Sequence, residues 1–570
     1  MQKDVALRKL QAEFPDAVLD TISFRGEETV VIKPEAILPV CRFLASDPAL
    51  AFDFLTDICG VDYPPREKRF EVVYHLYSMK RNKRFRLKTA VAAAEPIASV
   101  ASVWKGAGWF EREVYDMFGL TFTGHNDLRR ILTWDGYEGH PLRKDFPVRG
   151  ADFDRYEVPA VPTDAYSQMP ASLSDPVSEG GGAEREMTLN MGPQHPATHG
   201  VLRLVLKLDG EVIREAVPYL GHLHRGVEKL AEQLTYTQGI TLTDRLDYTA
   251  GICNNLAYCL AVEKLMDIQV PKRAQYIRVM LAELQRIAAH LLWLGTHALD
   301  LGAMTVLFYC FREREEVLDI LEQVTGARLT PSFLRIGGVA ADLPEGITAR
   351  IAGFLDAFAG HLAEYETLLS KNIIWLKRTK DVGVITRKEA INWGLAGPVI
   401  RGSGIEWDIR KAFPYSSYDE FTFAIPTGEQ GDVYDRYLVR LEEMRQSARI
   451  IRQAVRKLQK GEVRTRDPRV TPPTKQEAGT EIHALIRHFK HFAEGLTPPR
   501  GEVYSSVENP KGELGWYLVS DGTNRPYRYR IHTPSFVNAA ALPSMIKGHL
   551  VADVVAVIGS IDIVLGEIDR

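Results

Sequence analysis

The chain has 570 residues, 45% of them hydrophobic and 25% charged, so it carries enough apolar surface to fold and is not disordered as a whole. Its length fits about three or four folding units. Seventy basic against 74 acidic residues leave a formal charge of −4, which excludes the basic face that sequence-independent nucleic-acid binding requires. The opening MQKDVALRKLQAEF mixes acids and bases and has no apolar core of the signal-peptide kind. Val72 to Ser78 and Phe85 to Val91 then read as two strands around an Arg81-Asn82-Lys83 turn, in a small α+β domain. The six basic residues between Lys80 and Lys88 suit a solvated hairpin edge protected by charge; binding to an acidic partner is the alternative.

A helical pattern follows between Trp104 and Gly119. It puts Phe110, Val114, Met117 and Phe118 on one face and Glu111, Arg112, Glu113 and Asp116 on the other. Arg112 and Asp116 are spaced for a surface ion pair. Periodicity fails from Pro147 to Glu184, where five prolines precede Gly180-Gly181-Gly182. Such a stretch is a linker, part stiff and part flexible. It divides the chain into residues 1–161, a linker core 162–184, and a mainly helical unit 185–570.

The second unit opens on GPQHPATHG, Gly192 to Gly200, and a strand-like VLRLVLKL. His195 and His199 stand four apart, a metal-ligand spacing on a helix, but prolines and glycines make this a loop and no third ligand is near. Two such histidines can instead donate protons or hydrogen bonds. In Thr243–Tyr248 a tyrosine hydroxyl among Asp244, Arg245 and Asp247 is either a donor for a carbonyl oxygen or part of a capped helix start. A helix is expected from Pro271 to about Leu301. Asp300 lies at its end, three residues past His297, where a carboxylate is costly unless it pairs or works.

A second long helix is expected from about Asp432 to Lys460, stopping at Gly461. Its packing seam is Tyr437, Leu441, Met444, Ala448, Ile451, Val455 and Leu458. EVYSSVE, GWYLVSD and YRYRIHT then read as strands. The expected fold class is multidomain α+β: a small α+β domain, a linker, and a helical bundle with a small sheet. No Gly-x-Gly-x-x-Gly follows a strand and no Gly-Lys dipeptide occurs, so neither a dinucleotide fold nor a phosphate loop is supported. Five cysteines without a CxxC pair suggest a reducing, cytoplasmic setting, and no apolar stretch has transmembrane length.

Together these stretches closely resemble the C and D subunits of respiratory complex I, the proton-translocating NADH–quinone oxidoreductase. Trp104–Gly119 and Gly139–Pro147 look like the C-type signature. From Met187 to the end the chain looks like the D-type protein, with Phe311–Glu315, Arg335–Gly338, Asp408–Tyr415, Gly431–Arg436 and Gly512–Gly522 as further matching motifs. The linker then reads as the join of a C–D fusion. The resemblance implies a second unit similar to nickel–iron hydrogenase large subunits, but without the CxxC pairs that hold their metals. Hydrogenase activity and a metal bound by this chain are therefore not expected.

The resemblance also implies that this chain and a neighbouring subunit enclose a quinone headgroup. The neighbour would carry the terminal tetranuclear iron–sulfur cluster, with FMN and NADH in other subunits and a membrane arm alongside. Residue by residue, His199 and Tyr248 match the residues contacting the headgroup. Asp300 matches the carboxylate that pairs with the histidine, and Arg245 an arginine near the neighbour's cluster. Many relatives carry a histidine near that cluster where this chain has Thr330, which implies a cluster potential less sensitive to pH. The implied location is peripheral, on the cytoplasmic side of a bacterial inner membrane. Two competing readings are an assembly scaffold of the same complex without quinone contact, and an isolated metalloenzyme using His195 and His199.

Overall fold

A computed structural model describes residues 5–150, 186–198 and 200–570. The linker core 162–184, both of its expected boundaries and His199 lie outside the described residues. The N-terminal part is a five-stranded sheet in the order Val18–Phe24, Glu27–Ile32, Lys83–Val91, Phe70–Ser78, Phe54–Asp62. The expected hairpin is present, with Ser78 opposite Lys83 and Asn82 in the left-handed region at φ 47°. It is not an edge, however, because Lys83–Val91 also pairs in parallel with Glu27–Ile32. Its alternate residues Arg84, Arg86 and Lys88 share one face, and the C-terminal part covers that face. Arg84 donates to Glu513 at 2.7 Å, Arg86 pairs with Glu27 and Glu502, and Lys88 pairs with Glu502 and, at 3.0 Å, with Glu71. The solvated-edge reading is thus corrected: two of the four acids these bases meet, Glu502 and Glu513, lie in the same chain's second part.

A second correction concerns the Ala107–Phe118 helix. Phe110, Val114, Met117 and Phe118 are buried as expected, but so are Glu111, Arg112, Glu113 and Asp116. Asp116 makes no surface pair with Arg112. Its carboxylate accepts from Arg130 at 2.7 Å and from the backbone N–H groups of Ile131, Leu132 and Thr133 at 3.1, 2.8 and 2.9 Å. Arg112 donates instead to the carbonyls of Arg129 and Arg130. The 129–133 segment thus covers Arg112 and Asp116, while Glu111 accepts from Ser99 and the Val100 N–H at 2.6 and 2.7 Å and Glu113 pairs with Arg530 and Arg570, so groups that would otherwise be costly to bury are satisfied.

The second part holds the expected bundle: long helices Gly251–Met266, Lys272–Asp300, Met304–Thr325, Ile347–Leu369 and Val433–Lys457. Three antiparallel strands, Gly501–Asn509, Gly512–Ser520 and Arg528–His532, pack on it, and another three, Glu186–Met191, Arg203–Asp209 and Val212–Tyr219, stand beside it. The Val433–Lys457 helix starts where Asp432 accepts from the Asp435 N–H at 2.8 Å, a side-chain N-cap. It ends three residues before Lys460, because Leu458 turns extended and packs back on the bundle core. Gly461 is therefore not its cap.

The two parts share a core. The apolar centre under the N-terminal sheet runs on into Leu395–Ile409 and the last turns, Val554 to Ile568. At the junction Arg530 is fully buried, bonded to Asp57 at 2.7 and 2.9 Å, to Glu113, and to Glu228 at 3.5 Å. Arg570 also reaches Glu113, and Arg528 donates to the Gly60 carbonyl at 2.9 Å. A guanidinium fork suits such planar, two-oxygen partners.

Candidate functional site

The Thr243–Tyr248 turn lies between a short helix, Ile240–Thr243, and the Gly251–Met266 helix. The order of residues sorts them by side: Asp244, Leu246 and Asp247 point inward and are buried, while Arg245 and Tyr248 are left exposed or half-exposed. The turn is fixed from below. Asn254 donates to the carbonyls of Thr243 and Asp247 at 3.0 and 2.9 Å, and Asn255 to the Asp244 carboxylate at 2.8 Å. Ser332 also donates to Asp244, which brings the segment holding Thr330 against the turn. Arg225 clamps it from the side, donating to the carbonyls of Arg245 and Gly566 at 2.8 and 2.9 Å.

Directly beneath Tyr248 lies a buried ion cluster. Lys511 Nζ stands 3.1 Å from Asp247 Oδ2, 3.4 Å from Asp562 Oδ2 and 3.0 Å from Thr249 Oγ1. Burial opposes the Lys511 charge, yet the two carboxylates hold the ammonium above its ordinary pKa. Burial and the Asp247 charge raise the Tyr248 phenol, with Lys511 opposing, so its hydroxyl keeps its proton at neutral pH. Glu567, buried near Asp247, is pushed up to about 8, chiefly by burial. Asp562 and Glu443 are the charges that support Arg440, whose pKa burial lowers to about 10. Glu443 in turn accepts from Arg401 Nε at 2.9 Å and pairs with His290 at 2.8 Å.

The C-terminal segment gathers the expected site elements. Gly566 lies so close to the turn that a Cβ there would meet the Leu246 carbonyl at 2.6 Å. Gly200, at the far end of the GPQHPATHG loop, packs on Leu565. The Gly559 carbonyl accepts from Trp293 at 2.6 Å, and His297 stacks on that indole. Asp300 follows one turn later as the last residue of its helix, and it is half-buried. Solvent still reaches it, so the burial cost read from sequence is smaller than expected, while a carboxylate at a helix C-terminus remains unfavourable. His195 is exposed, and its carbonyl accepts from Thr198 Oγ1 at 2.7 Å. The expected pairing of Asp300 with His199 falls outside the described residues. Among the described residues no group of three or more His, Cys, Asp or Glu is arranged to hold a metal, and no helix is long and apolar enough to cross a membrane.

Sequence reasoning missed Lys511 and Asp562. Lys511 directly precedes the GELGWYLVSDG motif, which was its only signal.

Fold and site define a multidomain α+β protein that displays a tyrosine and an arginine from a turn held over buried charges. Comparison with known proteins gives the particular family. The family described as the 30 Kd subunit of respiratory-chain NADH dehydrogenase matches residues 30–152, and that of the 49 Kd subunit matches 300–570. The NADH-quinone oxidoreductase C/D subunit 2 of Aquifex aeolicus is 45% identical over 592 aligned positions, covering 99% of each chain. The C/D subunit of the same enzyme in Methylococcus capsulatus is 44% identical, over 96% of this chain and 94% of its own. The D subunit in Geotalea uraniireducens is 58% identical, over 67% of this chain and 98% of its own. The chain belongs to the fused C/D subunits of NADH–quinone oxidoreductase, core subunits of the peripheral arm of complex I.

Proposed function

We propose that this chain forms, with the neighbouring iron–sulfur subunit, the site where electrons from NADH reach quinone. The observation that carries this reading is the Tyr248 hydroxyl, presented at the surface, kept protonated, and fixed by a turn whose Asp247 is locked to Lys511. A quinone that takes up two electrons becomes a basic dianion, and donors placed at its two oxygens stabilise the charge as it develops and then hand over protons. Tyr248 donates at one oxygen and His199 at the other. Asp300 orients His199 and stabilises its charged form, and it is left uncompensated once the proton has moved. That change biases a two-state element leading to proton translocation in the membrane arm. Arg245 faces the neighbour's tetranuclear cluster. Thr330, beside the same turn, contributes no titrating ring there.

The scaffold reading predicts assembly without any effect of these side chains on quinone chemistry. His199→Ala decides between them in membranes that still assemble the complex. Loss of quinone reduction supports the donor role, and full turnover would remove it.

A further inference from the structure

The Ile482–Ala493 helix exposes a continuous apolar stripe. Ile482, Leu485, Ile486, Phe489 and Phe492 follow one another at helical spacing, and Phe489 and Phe492 are 69% and 73% exposed. Only Ala484 of this helix is buried. The helix is nonetheless well held. The preceding turn of helix, Lys475–Thr480, starts with a capping box between Thr474 and Glu477, and His491 bonds the Pro468 carbonyl at 2.9 Å. Exposed apolar area of this extent on a stable helix marks a contact surface.

A second observation states what the contact must offer. A cleft of about 470 Å³ opens at the C-terminal end of the helix, between Phe492, Ile240, Arg335 and Arg464. Both arginines donate only to carbonyls: Arg335 to Ser332 and Leu334, Arg464 to Val339 at 3.5 Å. Among the described residues neither has a carboxylate partner. Two adjacent cations without counter-charge among the described residues, next to an apolar stripe, call for an acidic group on whatever covers them.

We infer that this helix and cleft dock another protein subunit of the complex, through an apolar groove edged by at least one Asp or Glu. A lipid surface fits less well. Within 481–494, Arg487 and Lys490 are matched by Glu481 and Glu494, so the helix itself carries no excess of bases, and Arg335 and Arg464 line a cleft rather than a basic face along the stripe. A second copy fits less well too, because a self-complementary contact would set Arg335 and Arg464 against their own like. Ile240 lies on the short helix leading to Arg245, so the docked subunit reaches the edge of the candidate site. The inference does not depend on the quinone reading.

The test places the photo-crosslinker p-benzoylphenylalanine at Phe489 or at Phe492, both exposed, in the assembled complex in its membrane. Expected is one adduct from both positions, to a single segment of one other subunit, apolar and containing a carboxylate. Arg464→Glu in the same background lowers that adduct at least tenfold while the chain's melting temperature and helical content stay unchanged. Adducts to lipid, to a second copy or to scattered chains would overturn the inference. So would absence of any adduct, or a crosslink that Arg464→Glu leaves unaltered.

Discussion

Lys511→Met keeps most of the apolar stem and removes only the charge beneath Tyr248. In the structure that charge serves two buried carboxylates, 3.1 Å away on Asp247 and 3.4 Å away on Asp562. Removing one partner of a buried ion pair costs about 3–5 kcal/mol, because the other is left uncompensated. Two carboxylates on one ammonium put this variant toward the upper end. Asp247→Asn in the same chain removes one of the orphaned charges, so the double variant is less destabilised than the two singles summed, by about 1–3 kcal/mol. The assay is urea unfolding of parent, both singles and the double, read as a double-mutant cycle. A Lys511→Met chain within about 0.5 kcal/mol of the parent, or singles that simply add, would refute the claim that this ammonium holds the turn.

At the junction, Arg530→Met strands the carboxylate of Asp57, while Glu113 keeps Arg570 and Glu228 keeps Arg528, and a loss of about 3–5 kcal/mol is expected in the same unfolding assay. An unchanged midpoint would mean that the two parts are held by their apolar core alone. His532 gives a pH signature. Burial lowers its pKa from 6.5 to about 3, so between those values the unfolded chain binds a proton that the folded chain does not. Stability should therefore fall as pH drops through that window, by about 1.4 kcal/mol per pH unit from this residue. His532→Gln should flatten that slope between pH 6 and 4; equal slopes would show that another group titrates.

Much of the fold was legible because its signals are local. The 70–91 hairpin, the Lys272–Asp300 helix and the three strands after Gly501 follow from period and punctuation within a few residues. The charged side of Ala107–Phe118 was not legible. Its pattern is the same whether it meets water or covering segments, and those that decide lie at 99–100, at 129–133 and at Arg530 and Arg570. The basic run Lys80–Lys88 misled for the same reason, since Glu502 and Glu513 are more than 400 residues away. At the site, the outward pair Arg245 and Tyr248 stood out as a polar cluster beside a helix start. What fixes them did not, because Asp247, Lys511 and Asp562 meet only through the folded bundle.

Donation from the Tyr248 hydroxyl to quinone is tested most directly by Tyr248→Phe, which removes that hydroxyl with little change in volume. In membranes carrying this variant, NADH oxidation is measured with quinone and, separately, with a hydrophilic acceptor that takes electrons upstream. The expected result is loss of the quinone reaction with the upstream reaction retained, in a complex that still assembles. Quinone turnover equal to the parent's would contradict the donor role and return this chain to a scaffold role.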